Sequence, residues 1–214
     1  MPKETFFNLE EAKQEKVMRS TISEFLKQGF EKGNIGDIAK NAGVAKGSMY
    51  QYFENKKELF IYSVQWAMDL LMEKYSKYLV APSKELDMFD YLLQTSRTII
   101  IQMREEKELV IFIQDVFLGK HRGPMDESME YMVKATEKHL MDFIRRGKEN
   151  GQIRKDIDDK VLCLFVMAVS YKFKEYIMNR ARSSGEDIMD EPFEAYEADI
   201  KSMLELLKHG MIEK

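Results

Sequence analysis

Residues 34–60 read NIGDIAKNAGVAKGSMYQYFENKKELF. Ile35, Ile38, Ala39 and Ala42 recur at helical spacing and give a first short helix one apolar face. Asn34 stands just before it, where its side chain can accept from an amide of the first turn. Gly43 ends the helix, because glycine takes the left-handed conformation at the C′ position without steric cost. A second helix starts near Ala45 or Lys46, with Met49 and Phe53 four residues apart on one face. Around that face stand Lys46, Ser48, Tyr50, Gln51 and Tyr52, and no carboxylate occurs before Glu54. Such a surface suits DNA: ammonium and hydroxyl groups hold phosphates, and a glutamine pairs with an adenine edge in the major groove. The spacing predicts a helix-turn-helix whose second helix is the reader. On spacing alone, the competing reading is an ordinary helical hairpin with a solvated polar face.

Residues 37–60 closely resemble the DNA-binding signature of the TetR (tetracycline-repressor-like) family of bacterial regulators. The matched pieces are Ile38-Ala39, Ala42-Gly43-Val44, Lys46-Gly47-Ser48, Tyr50, Tyr52-Phe53, Asn55-Lys56 and Glu58-Leu59. With the preceding helix the resemblance covers roughly residues 10–60; beyond that the chain matches only in length and helical character. Three positions depart from the common pattern. Ala45 stands where a capping Ser is frequent, which removes a side-chain cap of about 1 kcal/mol. Gly36 occupies a position where some members place a base-contacting side chain. Asn34 replaces the usual Thr. The resemblance implies a phosphate contact at Lys56, an effector pocket in the body of the chain, and dimerisation through a four-helix bundle.

Composition bounds the rest. The chain has 214 residues, 44% hydrophobic and 33% charged, enough for a real core. Four prolines, eleven glycines and few alternating runs point to helices throughout. The single cysteine, Cys163, excludes an intramolecular disulfide and fits a reducing cytoplasm. The opening MPKETFFNLEEAKQEK has no apolar core of signal-peptide length, and no window reaches the run of about 18 apolar residues that spans a membrane. Net charge is −4. Residues 1–60 nevertheless hold ten Lys or Arg against nine Asp or Glu, so a few placed cations, not a broad basic field, would supply phosphate affinity.

Taken in order, a first helix is expected over 10–28, with Val17, Thr21, Ile22, Phe25 and Leu26 as its buried stripe and Gly29 as its stop. Phe25, Phe30, Ile38 and Phe53 are expected to form the head core. Asn55 caps a longer helix over 56–78, where Trp66 either lines a pocket or fills core. Ala81-Pro82-Ser83 breaks the chain, and helices follow over 85–104 and 106–118, the latter apolar on most sides and therefore central. A loop at 120–124 leads through Pro124 into a helix ending at Glu149. Asp158 caps a helix over 159–181 whose VLCLFVMAV run is buried on more than one face. A polar loop at 182–185 precedes a last helix from Asp190, with Pro192 in its first turn.

Catalytic patterns are missing. His121, His139 and His209 are scattered, Gly43–Ser48 lacks the spacing and ending of a phosphate-binding loop, and Ser170 lacks the glycines of a nucleophile elbow. No metal, cofactor or enzymatic activity is expected.

These readings predict an all-α, cytoplasmic, homodimeric transcriptional repressor, released from a palindromic double-stranded operator by a small apolar or amphipathic effector. The helix-turn-helix head, a three-helix unit, covers 1–55; the larger ligand-binding and dimerisation body covers 56–214. Candidate DNA contacts are Asn34, Ala45, Lys46, Gly47, Ser48, Tyr50, Gln51, Tyr52 and Lys56. Size and helical position suggest Trp66, Met103, Phe112, Met132, Met167 and Tyr171 for the effector pocket, which the chain's 16 methionines would help adapt. Apolar periodicity in the last two helices suggests Phe165, Phe193, Tyr196, Ile200, Met203, Leu204 and Leu207 for the dimer face. The alternative is an architectural or cell-division DNA-binding factor with the same head and no effector.

Overall fold

The computed structural model describes residues 1–78, 87–120, 125–183 and 189–211. They form helices α1 (Glu4–Phe7), α2 (Glu11–Lys32), α3 (Ile35–Ala42), α4 (Lys46–Tyr52), α5 (Lys56–Tyr75), α6 (Met88–Met103), α7 (Lys107–Phe117), α8 (Met125–Glu149), α9 (Asp159–Ser183) and α10 (Glu194–Met211). Single 3₁₀ turns follow α5 and α6, and no strand occurs among the described residues. The all-α expectation holds. The expected break at Ala81-Pro82-Ser83, the turn at Pro124, His121 and the loop at 184–185 lie outside the described residues.

The chain divides into two compact units, Met1–Met72 with Glu106–Met132, and Glu73–Glu105 with Val133–Lys214. The sequence-derived boundary at 55/56 therefore falls within the first unit.

In the first unit α2 buries Val17, Met18, Ile22 and Phe25. Its helical run reaches Lys32 but is interrupted at Gly29, whose φ of 71° and ψ of 170° only glycine adopts cheaply. Phe25, Ile38 and Phe53 are core residues as expected, while Phe30 is half-buried. The centre of the aromatic cluster is a residue the sequence reading passed over. Phe60 has ring centroids 5.1 Å from Phe25, 5.3 Å from Phe30 and 5.6 Å from Phe112, so it joins α2, α5 and α7. Gly33 closes the packing: a Cβ there would lie 2.7 Å from the Phe25 ring, which its neighbours hold in place. Arg19 of α2 donates to both carboxylate oxygens of Glu106 at 2.8 and 3.2 Å and to Glu15 at 2.7 Å. That bidentate pairing ties α2 to the start of α7.

In the second unit Ile144, Ile153, Leu162, Cys163 and Ile177 are buried with Phe193, Tyr196, Ile200, Leu204 and Leu207. Asp158 caps α9 as expected, accepting from the Lys160 amide at 2.9 Å. Helix ends differ from the sequence reading where local bonding overrides periodicity. Residues 182–183 remain in α9, and 76–78 form a 3₁₀ turn. The last helix starts at Glu194, after a turn in which Pro192 and Phe193 carbonyls accept from Ala195 and Tyr196. α6 starts at Met88 because the Asp87 carboxylate accepts from the Phe89 and Asp90 amides at 2.9 and 3.1 Å. The same carboxylate pairs with Lys208 of α10 at 3.1 Å.

Asp87 thus joins the start of α6 to the end of α10. Burial opposes its ionisation, but the Asp90 amide, Lys208 and the Phe89 amide outweigh that cost and hold its pKa below the ordinary 3.8. Its contribution is complete above that ordinary value and is lost as pH falls through the depressed one. Asp87→Ala is expected to lower stability at neutral pH by about 1 kcal/mol through the lost cap. Denaturant melts of both proteins check this. The difference should shrink towards zero in acid, and a gap independent of pH would exclude the carboxylate as its cause.

Candidate nucleic-acid interface

Sequence alone makes α3 short, and its two ends are built as read. The Asn34 side chain accepts from the Gly36 amide at 2.8 Å, while the Asn34 amide is itself held by Glu24 at 3.0 Å. At Gly36 a Cβ would sit 3.1 Å from that capping oxygen, which gives a physical reason for glycine there. Gly43 takes φ 67° and ψ 39°, the left-handed cap that turns the chain from α3 into α4. Ile38, Ala39 and Ala42 of α3 are buried with Met49 of α4 and the following Phe53.

This packing leaves Ala45, Lys46, Gly47, Tyr50 and Gln51 exposed on α4, with Ser48 half-buried. No side chain caps α4 at Ala45. Asn34 is exposed at the start of α3. Eight of the nine candidates therefore remain accessible at least in part. Tyr52 does not: it is 9% exposed, packed 6.0 Å from the Phe6 ring, and belongs to the core instead of the phosphate-facing side.

Lys56 has a different setting from the one expected. Its ammonium donates to the Glu31 carbonyl at 2.9 Å and the Gly33 carbonyl at 3.4 Å, and lies 5.1 Å over the Phe30 ring. It caps the end of α2, where the helix dipole favours a cation. Two cations that the sequence reading missed stand at the turn between α3 and α4. Lys13 donates to the Gly43 carbonyl at 2.9 Å, and the Lys16 ammonium is 3.7 Å from where a Gly43 Cβ would be. Their three-residue spacing along α2 was the available signal.

The other candidates separate. Trp66, Phe112 and Met132 belong to the first unit, Met103, Met167 and Tyr171 to the second. Phe112, Met132 and Met167 are buried; Trp66, Met103 and Tyr171 are half-buried. The Arg19 guanidinium stands 5.8 Å from the Trp66 ring. A cleft of about 260 Å³ in the first unit is lined by Glu54, Asn55, Lys57, Glu58, Ile61, Tyr62 and Gln65 with Met1, and includes none of the six. The buried Gln114 of α7, a lone amide in an apolar run, has an Oε1 with no hydrogen-bond partner among the described residues. On α8, burial and the hydrogen bond to Asp69 push the Tyr131 phenol well above its ordinary range.

The expected dimer face needs correction. Phe193, Tyr196, Ile200, Leu204 and Leu207 are buried within the second unit, and Met203 packs against its core. Those residues complete the chain's own core, because one stripe of α10 is all that this unit requires. Of the expected set only Phe165 is exposed, at 45%. It stands on α9 with Val161 at 55% and Leu164 at 57%, and with exposed Ala168. These four recur at i, i+3, i+4 and i+7, the signature of one helical face. On α10 the exposed large apolar residue among the described ones is Leu206, at 75%.

Among the described residues no helix is long and apolar enough to cross a membrane, and no group of three or more His, Cys, Asp or Glu could hold a metal ion.

Comparison with known proteins agrees with the geometry of the head. Residues 17–62 match the family described as bacterial regulatory proteins, tetR family. The chain is similar to the HTH-type transcriptional repressor KstR2 of Mycolicibacterium smegmatis, 22% identical over 155 residues, covering 72% of this chain and 74% of that one. Its fold is similar to that of the transcriptional regulator FadR from Bacillus subtilis in complex with stearoyl-CoA, at a TM-score of 0.65 and 19% identity, over 92% of this chain and 98% of that one. It is also similar to the complex of SmeT with triclosan, at a TM-score of 0.69 and 15% identity, over 95% and 93%. SmeT is the repressor of the Stenotrophomonas maltophilia multidrug efflux pump SmeDEF. The chain is thus a DNA-binding transcriptional regulator whose residues 17–62 carry a helix-turn-helix similar to that of the tetR family, with the outer face of its second helix exposed.

Proposed function

We propose that the protein is a homodimeric repressor that reads a palindromic operator through α4 and leaves it when an apolar or amphipathic effector binds the helical body. On this reading 1–55 is the functional head, 56–214 is the body, and the protein acts in the cytoplasm without a catalytic step. The observation that carries the proposal is the reader face: Lys46, Tyr50 and Gln51 stand exposed on a helix whose opposite side is core. Lys46 and Ser48 are assigned to phosphates, with Lys13 and Lys16 adding charge at the turn. Gln51 and Tyr50 are assigned to base edges. Lys56, bonded to the end of α2, orients the head as well as adding charge.

Lys46→Ala is expected to weaken binding to all duplexes and to flatten the salt dependence by about one unit of slope. Gln51→Ala is expected to relax preference at one position per half-site, costing about 1–3 kcal/mol there. Titrations of the duplex that the wild-type protein selects from a randomised library, at several salt concentrations, check both. An unchanged slope removes Lys46 from the phosphate contacts.

FadR and SmeT have been solved with stearoyl-CoA and triclosan, and this supports an apolar or amphipathic effector here. Gln114 supplies a buried acceptor for a donor group on such a molecule. A bound effector needs only about 1.4 kcal/mol of preference for the DNA-incompetent state to weaken operator binding tenfold. A screen of acyl-CoA thioesters and triclosan is expected to find compounds that raise the melting temperature and displace the selected duplex. A panel without effect on either favours an effector-free architectural factor.

Two heads are needed because a single α4 of seven residues carries few contacts, whereas paired heads engage major grooves about 34–36 Å apart. A second copy packed on Val161, Leu164, Phe165 and Ala168 of α9 meets that need and removes an exposed apolar face from water. Leu164→Asp is expected to give a folded monomer that has lost tight operator binding. Sedimentation with circular dichroism decides it, and a dimer that persists in Leu164→Asp overturns the assignment of α9.

A further inference from the structure

The reader helix α4 is intrinsically weak. It has seven residues, includes Gly47, lacks a side-chain cap at Ala45, and has neither an acid in its first turn nor a base in its last. Helices this short are marginal even in favourable sequences, and an interior glycine costs about 1 kcal/mol relative to alanine. Its last carbonyls also need partners. The Phe53 amide takes that of Met49 at 2.9 Å.

The remaining three are taken by one segment far away in sequence. The Lys3 ammonium donates to the Tyr50 carbonyl at 3.0 Å, the Thr5 hydroxyl to the Gln51 carbonyl, and the Lys3 amide to the Tyr52 carbonyl at 2.9 Å. The Lys3 charge also stands at the negative end of the helix. Behind these bonds Phe6 is fully buried, with ring centroids 5.0 Å from Phe53, 5.7 Å from Tyr62 and 6.0 Å from Tyr52. Phe6 anchors the segment, and Lys3 and Thr5 close the helix.

We propose that residues 3–6 form a clamp that holds the C-terminal turn of the reader helix, making Lys3, Thr5 and Phe6 positioning residues for operator recognition. The proposal rests on α4 being the reader. Tyr50 and Gln51, the two residues assigned to base edges, are the ones whose own carbonyls the clamp holds. Loosening it lets that turn fray, so base readout suffers while phosphate attraction by Lys13, Lys16 and Lys46 remains. Specific and non-specific binding therefore respond differently.

The test uses the full chain with Thr5→Val, Thr5→Ser, Lys3→Met and Phe6→Ala. Hydrogen exchange without DNA is expected to quicken at the 50–53 amides in all but Thr5→Ser, which keeps the hydroxyl. Affinity for the wild-type-selected duplex is expected to fall about tenfold per lost bond at most, the range of one hydrogen bond, with affinity for poly(dI·dC) within about twofold of wild type. Thr5→Ser should restore the selected-duplex affinity. Equal losses on both duplexes, or unchanged specific affinity in variants with quickened exchange, would overturn the positioning role. Unchanged exchange in Phe6→Ala would overturn the clamp itself. A wild-type protein that selects no duplex would instead defeat the reader assignment, and with it any positioning role, whatever the exchange data show.

Discussion

Seven residues, Lys46–Tyr52, carry the proposed reading surface, and a helix of that length cannot hold its shape by its own hydrogen bonds. Everything around α4 answers that constraint. Met49 and Phe53 are buried, Gly43 fixes the entry from α3, and the clamp of residues 3–6 satisfies the exit. The polar face is thereby presented by a scaffold that spends none of the reading side chains on its own support. Tyr52 marks the limit of that face, since its ring is committed to Phe6.

The same logic extends to the rest of the first unit. Phe60 touches rings from α2 and α7, and Arg19 binds the Glu106 carboxylate at the start of α7. Helix α7 is thus part of the support of α2, which in turn supports α3. One aromatic contact and one bidentate ion pair make that connection. The Arg19 side chain is 39% exposed, so solvent screens part of the attraction and the bidentate geometry chiefly fixes orientation.

In the second unit the division of labour between helices is set by what is left uncovered. α10 gives its apolar stripe to the core of its own chain, while α9 buries Leu162, Cys163 and Met167 and leaves Val161, Leu164 and Phe165 outside. An apolar run in a sequence is the same on both sides of that division. Only the position of the neighbouring helices separates residues that complete a core from residues that stay exposed.

Local chemistry was legible in the sequence alone. The Asn34 and Asn55 caps, the left-handed Gly43, the Asp158 cap and the buried Met49–Phe53 pair depend on bonds or contacts within a few residues, and residue type decides them. So was the exposed Lys46–Gln51 face, because its opposite side is plainly apolar. Contacts between distant segments were not. Nothing near Lys3, Thr5 or Phe6 indicates that they close a helix more than forty residues away. The bonds of Lys56 to the end of α2 are likewise invisible until that end is brought beneath it. The α10 stripe reads as an interface until the second unit folds over it. Periodicity reports that a face is apolar; what covers it is a property of the packed chain, and only the tertiary structure decides it.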